Sequence, residues 1–194
     1  PDERAKAAGA AHVVFASRLD EDCSAAAFAL IPIIDRLRAK YDVTLTIAGG
    51  GGCYGALSAL AEKVNARHGA TIVRLTGALE QVAPLFRSAD VFVGVSRAAL
   101  EALGCGAAVI LAGDEGFGGV LTEENFDRHF AANFCCRGEA QISKGELERA
   151  LTDLLSMPQA DRSRLVGALR ERIAECCDAR TMAEATEEVY RKAM

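Results

Sequence analysis

The sequence lacks an excess of positive charge. Its 22 Lys and Arg stand against 27 Asp and Glu, a formal net charge of −5, so the field of the whole molecule repels a polyanion and argues against nucleic acid as a partner. Long hydrophobic runs are missing too. The longest, such as 91–95 and 107–112, are strand-length, against the roughly 20 apolar residues a membrane-spanning helix needs. The opening Pro1-Asp2-Glu3-Arg4 carries neither an initiator Met nor the apolar core of a signal peptide, as expected of a piece of a longer protein. Seven cysteines, an odd number, show no C-x-x-C spacing and mostly sit among apolar residues. They are expected to be reduced thiols of a cytoplasmic protein, whose full-length form is either free or held at the inner face of the membrane. His12, His68 and His129 have no metal-ligand spacing, and the pairs Cys135-Cys136 and Cys176-Cys177 lack the further His or Cys that zinc requires. No metal is expected.

What remains is an ordinary globular composition, 51% hydrophobic and 25% charged, which excludes a disordered chain. At 194 residues it is long enough for one α/β domain with a real core, and residues 1–194 are read as a single domain. Short apolar runs rich in β-branched residues predict strands at 12–17, 43–48, 71–75, 91–95 and 107–112. Between them, helical spacing predicts helices at 25–41, with Pro32 placed to kink it, and at 56–67, 79–86 and 97–103. After Gly113 this rhythm is expected to stop, leaving three helical stretches at 144–155, 161–176 and 180–193. Five strands separated by helices imply a Rossmann-like α/β fold, a parallel sheet with helices on both faces. Ligands of such sheets bind at the carboxyl ends of the strands, which directs attention to the loops after Ser17, Ala48, Leu75, Val95 and Ala112.

Ser17-Arg18-Leu19 follows the first strand. Arg18 there either forks onto a diphosphate or is a surface arginine. Gly49-Gly50-Gly51-Gly52 follows the second strand, and Gly50, Gly52 and Gly55 satisfy G-x-G-x-x-G, a spacing that serves a phosphate contact or a plain tight turn. A dinucleotide fingerprint follows the first strand and has an acidic residue at the end of the next, where this chain has Arg74-Leu75-Thr76. The most informative stretch runs from Ala89 to Ile110. Here a strand ends at Gly94, Ser96 is placed to cap the following helix, and Arg97 and Glu101 lie in its first turns. A capped helix start suits a diphosphate, and Glu101 is either a ribose acceptor or a solvated helix carboxylate.

That stretch resembles the donor-binding segment of the GT-B glycosyltransferases, in the large retaining group 1 family with sucrose synthase-like and phosphatidylinositol mannosyltransferase-like members. Ser17-Arg18-Leu19 is similar to the family's G-R-L, and Ala48-Gly49-Gly50-Gly51 to its V-G-x-G. Gly77 matches the glycine after its third strand, Ser88-Ala89-Asp90-Val91 its s-A-D-v, and Glu101-Ala102-Leu103-Gly104-Cys105-Gly106-Ala107-Ala108-Val109 its E-A-m-A-x-G-x-P-V. The resemblance implies the C-terminal, nucleotide-sugar-binding half of a two-domain hexosyltransferase, with the acceptor domain preceding it in the same chain. It implies that Glu101 holds the donor ribose, that Arg18, Gly50, Gly51, Gly94 and the amides around Ser96 and Arg97 hold the diphosphate, and that main chain near 74–79 frames the base. It implies no cofactor beyond the nucleotide-diphosphate sugar, and C-terminal helices of which the last crosses back to the other domain.

Two positions depart from the family. Val93 stands eight residues before Glu101, where the family has a second glutamate, and Cys23 stands where it has a diphosphate-binding Lys, behind Asp20-Glu21-Asp22. The 114–119 segment is either an ordinary loop or the sugar end of the site, with Glu115 as the missing carboxylate and Gly118 and Gly119 as free amides. No residue reads as a general base, so the catalytic residues are unknown from this sequence. Two alternatives stay open: an NADP-binding domain, supported by the glycine spacing and by Arg74 as a partner for a 2′-phosphate, and a non-catalytic nucleotide-binding module. A sugar-nucleotide epimerase needs acids and a His that cannot be placed. Arg162, Arg164, Arg170 and Arg172, interspersed with acids, are expected to form a solvated helix face.

Overall fold

Strand β1 (Ala11–Ala16) lies at the middle of a six-stranded sheet in the order β3-β2-β1-β4-β5-β6. This computed structural model describes residues 9–177 and 179–193. The opening Pro1 to Arg4 lies outside the described residues. Strands β2 (Val43–Ala48), β3 (Val73–Leu75), β4 (Val91–Gly94) and β5 (Ala108–Gly113) run parallel with β1. Helix α1 (Ala25–Leu37) returns the chain from β1 to β2, α2 (Tyr54–His68) from β2 to β3, α3 (Ala83–Ser88) from β3 to β4, and α4 (Ser96–Gly104) from β4 to β5.

The order reverses between β1 and β4. Right-handed crossovers therefore place α1 and α2 on one face of the sheet and α3 and α4 on the other. Packing agrees, since α1 contacts α2 and α6 (Lys144–Ser156), whereas α4 contacts α3 and α7 (Gln159–Cys177). Covered on both faces, the strands read as continuous apolar runs, and Val13, Val14, Val91, Phe92, Val93 and Ile110 have no exposed surface.

Where the bounds differ from the expectation, a local reason is visible. The third strand starts at Val73 rather than residue 71. The Asn65 side chain, projecting from α2, accepts the Ile72 and Val73 N–H groups at 2.7 and 2.8 Å and donates to Val73 O at 2.7 Å, which diverts the Ile72 N–H from β2 while Ile72 O still takes the Leu45 N–H at 2.8 Å. Helix α3 starts at Ala83 because Pro84 occupies its first turn, where a missing N–H is harmless. Helix α1 runs on through Pro32.

The expected end of the alternation is overturned. The rhythm does not stop after Gly113: β6 (Gly116–Val120) turns back antiparallel against β5 through Asp114-Glu115, and α5 (Glu123–Ala131) follows it. Three glycines in Gly116-Phe117-Gly118-Gly119-Val120 hide the strand from any propensity argument. Two of them are there for space: a Cβ on Gly116 would lie 2.5 Å from Cys136 O, and one on Gly118 2.7 Å from His129 Cε1 and 3.1 Å from Cys136 Sγ, whereas Gly119 meets no neighbour and has φ +75°. Helix α5 does carry a start signal, with Asn125 Oδ1 accepting the Thr122 N–H at 2.8 Å and Glu123 and Glu124 in its first turn.

The expected C-terminal helices are present as α6, α7 and α8 (Ala179–Ala193). Arg162 is not on a solvated face. It sits at the start of α7, donates to Leu154 O at 3.1 Å and approaches Asp90 Oδ1 at 3.6 Å. Asp90 Oδ2 in turn accepts the His12 N–H at 2.8 Å, so this aspartate ties the start of β1 to α7. Among the described residues, no helix is long and apolar enough to cross a membrane.

Candidate functional site

Three loops interlock at the carboxyl edge of the sheet. Leu19 N–H donates to Gly50 O at 2.9 Å, Cys53 N–H to Leu19 O at 2.7 Å, and Gly49 N–H to Gly77 O at 2.9 Å. The glycine run makes that contact possible. A Cβ on Gly49 (φ +146°) would fall 1.9 Å from Ser17 O, and one on Gly51 (φ +154°) would fall 2.5 Å from Leu19 C, so both are required for the loops after β1 and β2 to touch. Gly50 has no such neighbour closer than 3.9 Å. It opens instead onto a recess of about 460 Å³ lined by Ser17, Arg18, Gly49, Ala78, Leu79 and Val82, among others.

Arg18 is the charged residue of that lining. Its guanidinium is 67% exposed and pairs with Asp20 Oδ2 at 3.2 Å and Asp22 Oδ2 at 3.4 Å. Cys23 Sγ lies 3.3 Å from Nη2. This sulfur, with Asp22 and Asp20, raises the guanidinium pKa further above its usual high value. Burial, then the hydrogen bond with Asp22, pushes the Cys23 thiol up, so it is not the activated thiolate of a nucleophile.

The neighbouring loop leads from β4 into α4. Ser96 does not cap this helix as expected. Val95 is the N-cap, and Ser96 is the first helical residue, held at φ +56° with its N–H given to Phe134 O at 2.9 Å. Arg97 and Glu101 face each other across one turn at 3.6 Å, 90% and 47% exposed, a solvated pair that contributes little to stability and leaves both groups able to meet a ligand. Helix α1, by contrast, has its N-terminus occupied. Asp114 Oδ1 accepts the Ala25 N–H at 3.2 Å, and burial, with Asp22 nearby, raises the Asp114 carboxyl above the usual range.

The structure therefore brings Arg18 and Gly50 into one recess and places Gly94 at the end of the adjacent strand β4 and Ser96, Arg97 and Glu101 on helix α4 that follows it. Gly51 packs against Leu19 and Asp20 rather than lining the recess. Glu115 lies at the β5–β6 turn in an ion pair with Arg137, Nε to Oε1 3.0 Å. Gly118 and Gly119 are in β6, the former turned onto His129 and the latter paired with Leu111. Val93 is fully buried in β4, so that position belongs to the core. Arg74 lines a different groove, over the sheet beside His12 and Thr46. Asp114 belongs to the 114–119 segment marked in the sequence, though its contact with the start of α1 was not foreseen; Phe134 and Arg137 were not signalled, because each reaches the edge only through the segment after α5. Among the described residues, no three His, Cys, Asp or Glu side chains converge as a metal site.

Residues 10–156 match the family model of the glycosyl transferases group 1. The chain belongs to that family. No curated protein sequence matches this group 1 domain. Among solved structures, its fold is similar to an S. aureus TarM mutant in complex with Fondaparinux, α-GlcNAc-glycerol and UDP (TM-score 0.67, 14% identity, 92% of this chain and 35% of that one). It is also similar to an α,α-trehalose-phosphate synthase (UDP-forming) from Burkholderia vietnamiensis (TM-score 0.67, 14% identity, 96% and 46%). WaaG, a glycosyltransferase involved in lipopolysaccharide biosynthesis, gives a TM-score of 0.61 at 18% identity, over 94% and 47% of the two chains. These are GT-B glycosyltransferases, and the group 1 domain shares their α/β fold while spanning less than half the length of each.

Proposed function

We propose that this domain binds the nucleotide-diphosphate sugar for a hexosyltransferase whose acceptor domain precedes it in the full-length chain. The observation that carries the reading is the recess over the carboxyl ends of β1 and β2, where glycine backbone, Leu79 and a single guanidinium come together, on the strand that borders the reversal of order between β1 and β4. In this reading the base lies against main chain near 74–79, Glu101 accepts from the ribose hydroxyls, and Arg18 with the first turn of α4 receives the diphosphate. Transfer is then helped by stabilising the departing diphosphate, electrostatic assistance from preorganised donors. The nucleoside is uridine or guanosine, no metal or cofactor takes part, and the domain works in the cytoplasm. The TarM mutant structure, in complex with UDP, supports this reading by likeness of fold.

A second reading, a nucleotide-binding module without transfer, draws support from Val93 and Cys23 in place of the family's charged residues and from an Arg18 already paired with two carboxylates. An NADP site finds less support, since Arg74 faces the other groove. Calorimetric titration with UDP, GDP and NADP, followed by a transfer assay on the full-length protein, separates the three. Binding of UDP or GDP with transfer supports the first reading; binding without transfer supports the second. Binding of NADP alone overturns both.

A further inference from the structure

Asp20 stands where an anion would. Its Oδ1 accepts the Gly52 N–H at 2.9 Å and its Oδ2 lies 3.2 Å from Arg18 Nη1. The carboxylate packs directly on the glycine loop, and a Cβ on Gly51 would be 2.6 Å from Oδ1. A phosphate is held by the same two kinds of donor, a glycine-loop amide and a guanidinium fork. Asp22 takes the other guanidinium nitrogen at 3.4 Å. The one charged group lining the recess is thus neutralised before any ligand arrives.

We propose that Asp20 is an affinity-setting residue of the donor site: its carboxylate occupies the phosphate position in the free protein and gives up Arg18 and Gly52 when a diphosphate binds. This rests on the reading of the site as a diphosphate binder. The backbone need not move for the exchange. Leu19 is pinned to Gly50 and Cys53 on one side, and the Cys23 N–H closes a turn onto Asp20 O at 3.0 Å on the other. Rotation of the Asp20 side chain, 42% exposed, is enough. The incoming group must outcompete two carboxylates for Arg18. A diphosphate, with a larger charge and more acceptor oxygens than one carboxylate, does so, whereas a singly charged group gains little over the pair it replaces. The neutral thiol of Cys23 adds no cation to compensate, so the two aspartates set how much anionic charge a ligand must bring.

The test is titration of the protein and its D20N and D22N variants with UDP, GDP, inorganic pyrophosphate and uridine at low ionic strength. The Asp20→Asn change keeps an oxygen for the Gly52 N–H and removes the charge, and an unchanged thermal midpoint checks that the loop is intact. D20N is expected to tighten the diphosphate ligands about two- to fivefold, the range that exposed ion pairs span. Uridine is expected to bind as before, and the gain to shrink in high salt. Diphosphate binding by D20N where the unaltered protein shows none also supports the proposal. If the unaltered protein binds UDP or GDP and D20N binds it equally or more weakly, Asp20 is only a loop tie; the proposal falls and the donor-binding reading stands. If neither the protein nor any variant binds a diphosphate ligand, the donor-binding reading fails and this proposal with it.

Discussion

Ser96 and Phe134 hold each other in place. Both have left-handed backbones, at φ +56° and +53°, and the Ser96 N–H donates to Phe134 O at 2.9 Å. A β-carbon makes that conformation unfavourable by about 1 kcal/mol per residue, so the bond and the packing of Phe134 against Phe126 and Phe130 must hold Ser96 there. Replacing Ser96 with Gly is expected to raise unfolding stability by about 0.5 to 1 kcal/mol, since glycine takes positive φ at no steric penalty. Urea denaturation measures it. A loss of stability in S96G would mean that the hydroxyl, not the backbone, is what this position needs.

His129 gives the fold a pH dependence. It is 1% exposed, packed under Gly118, with Arg128 Nη2 3.1 Å from its Nε2. Burial lowers its pKa, and the Arg128 charge adds to the effect, so the folded state favours neutral imidazole. The unfolded chain binds a proton near pH 6.5 and the folded one only below that. The stability is therefore fully present above pH 6.5 and is lost as pH falls below it. Asp114, whose pKa is raised, acts oppositely at lower pH. The difference between the protein and H129L isolates the histidine. Thermal midpoints of the unaltered protein should fall more steeply between pH 7 and 5 than those of H129L, and equal slopes would show that His129 titrates normally.

How far the sequence was legible can be read from particular residues. The five parallel strands were visible because strands buried on both faces have to be apolar throughout, as Val13, Val14, Val91 and Ile110 are. Strand β6 was not, because Gly118 is chosen for its lack of a side chain under His129, a contact that no local pattern encodes. Arg18 was visible as the first charge after β1; that Asp20 and Asp22 hold it was not, since the same three residues would read alike with the acids turned to water. The Ala89-Asp90-Val91 motif was recognised as a family mark without its reason. The structure supplies one in the Asp90 contacts with His12 and Arg162.

Asp90 is the strongest candidate for a structural carboxylate outside the recess. It is 14% exposed as a side chain, takes the His12 N–H, and faces Arg162, which also reaches Leu154 O. Removing it would leave a backbone donor and a largely buried guanidinium short of a partner, which costs about 2 to 4 kcal/mol. D90A is therefore expected to lose that much in urea denaturation. R162M, which removes the charge but keeps the aliphatic packing, should lose less, and a D90A/R162M double variant should recover part of the D90A loss. Strict additivity of the two would show that the pair does not interact.

Arg18 and Glu101 are assigned to different groups of the proposed ligand, the diphosphate and the ribose, and that makes them separable. A guanidinium on a diphosphate is a charge-assisted contact worth about 1.5 to 3 kcal/mol, or roughly 10- to 100-fold in affinity. Its present pairing with Asp20 and Asp22 returns part of that, so R18A is expected to weaken UDP or GDP about tenfold and to leave uridine or guanosine unchanged. Glu101, 47% exposed and matched to a still more solvated Arg97, is the residue the proposed function assigns to the ribose. E101A should weaken the nucleoside diphosphate by a similar factor but lose nothing further against its 2′,3′-dideoxy analogue, because the hydroxyls it would accept from are gone. Calorimetry on the four combinations closes a cycle between residue and hydroxyl. Equal losses for ribose and dideoxyribose ligands would move Glu101 out of the site and return it to the solvated helix face, while the Arg18 result would stand on its own.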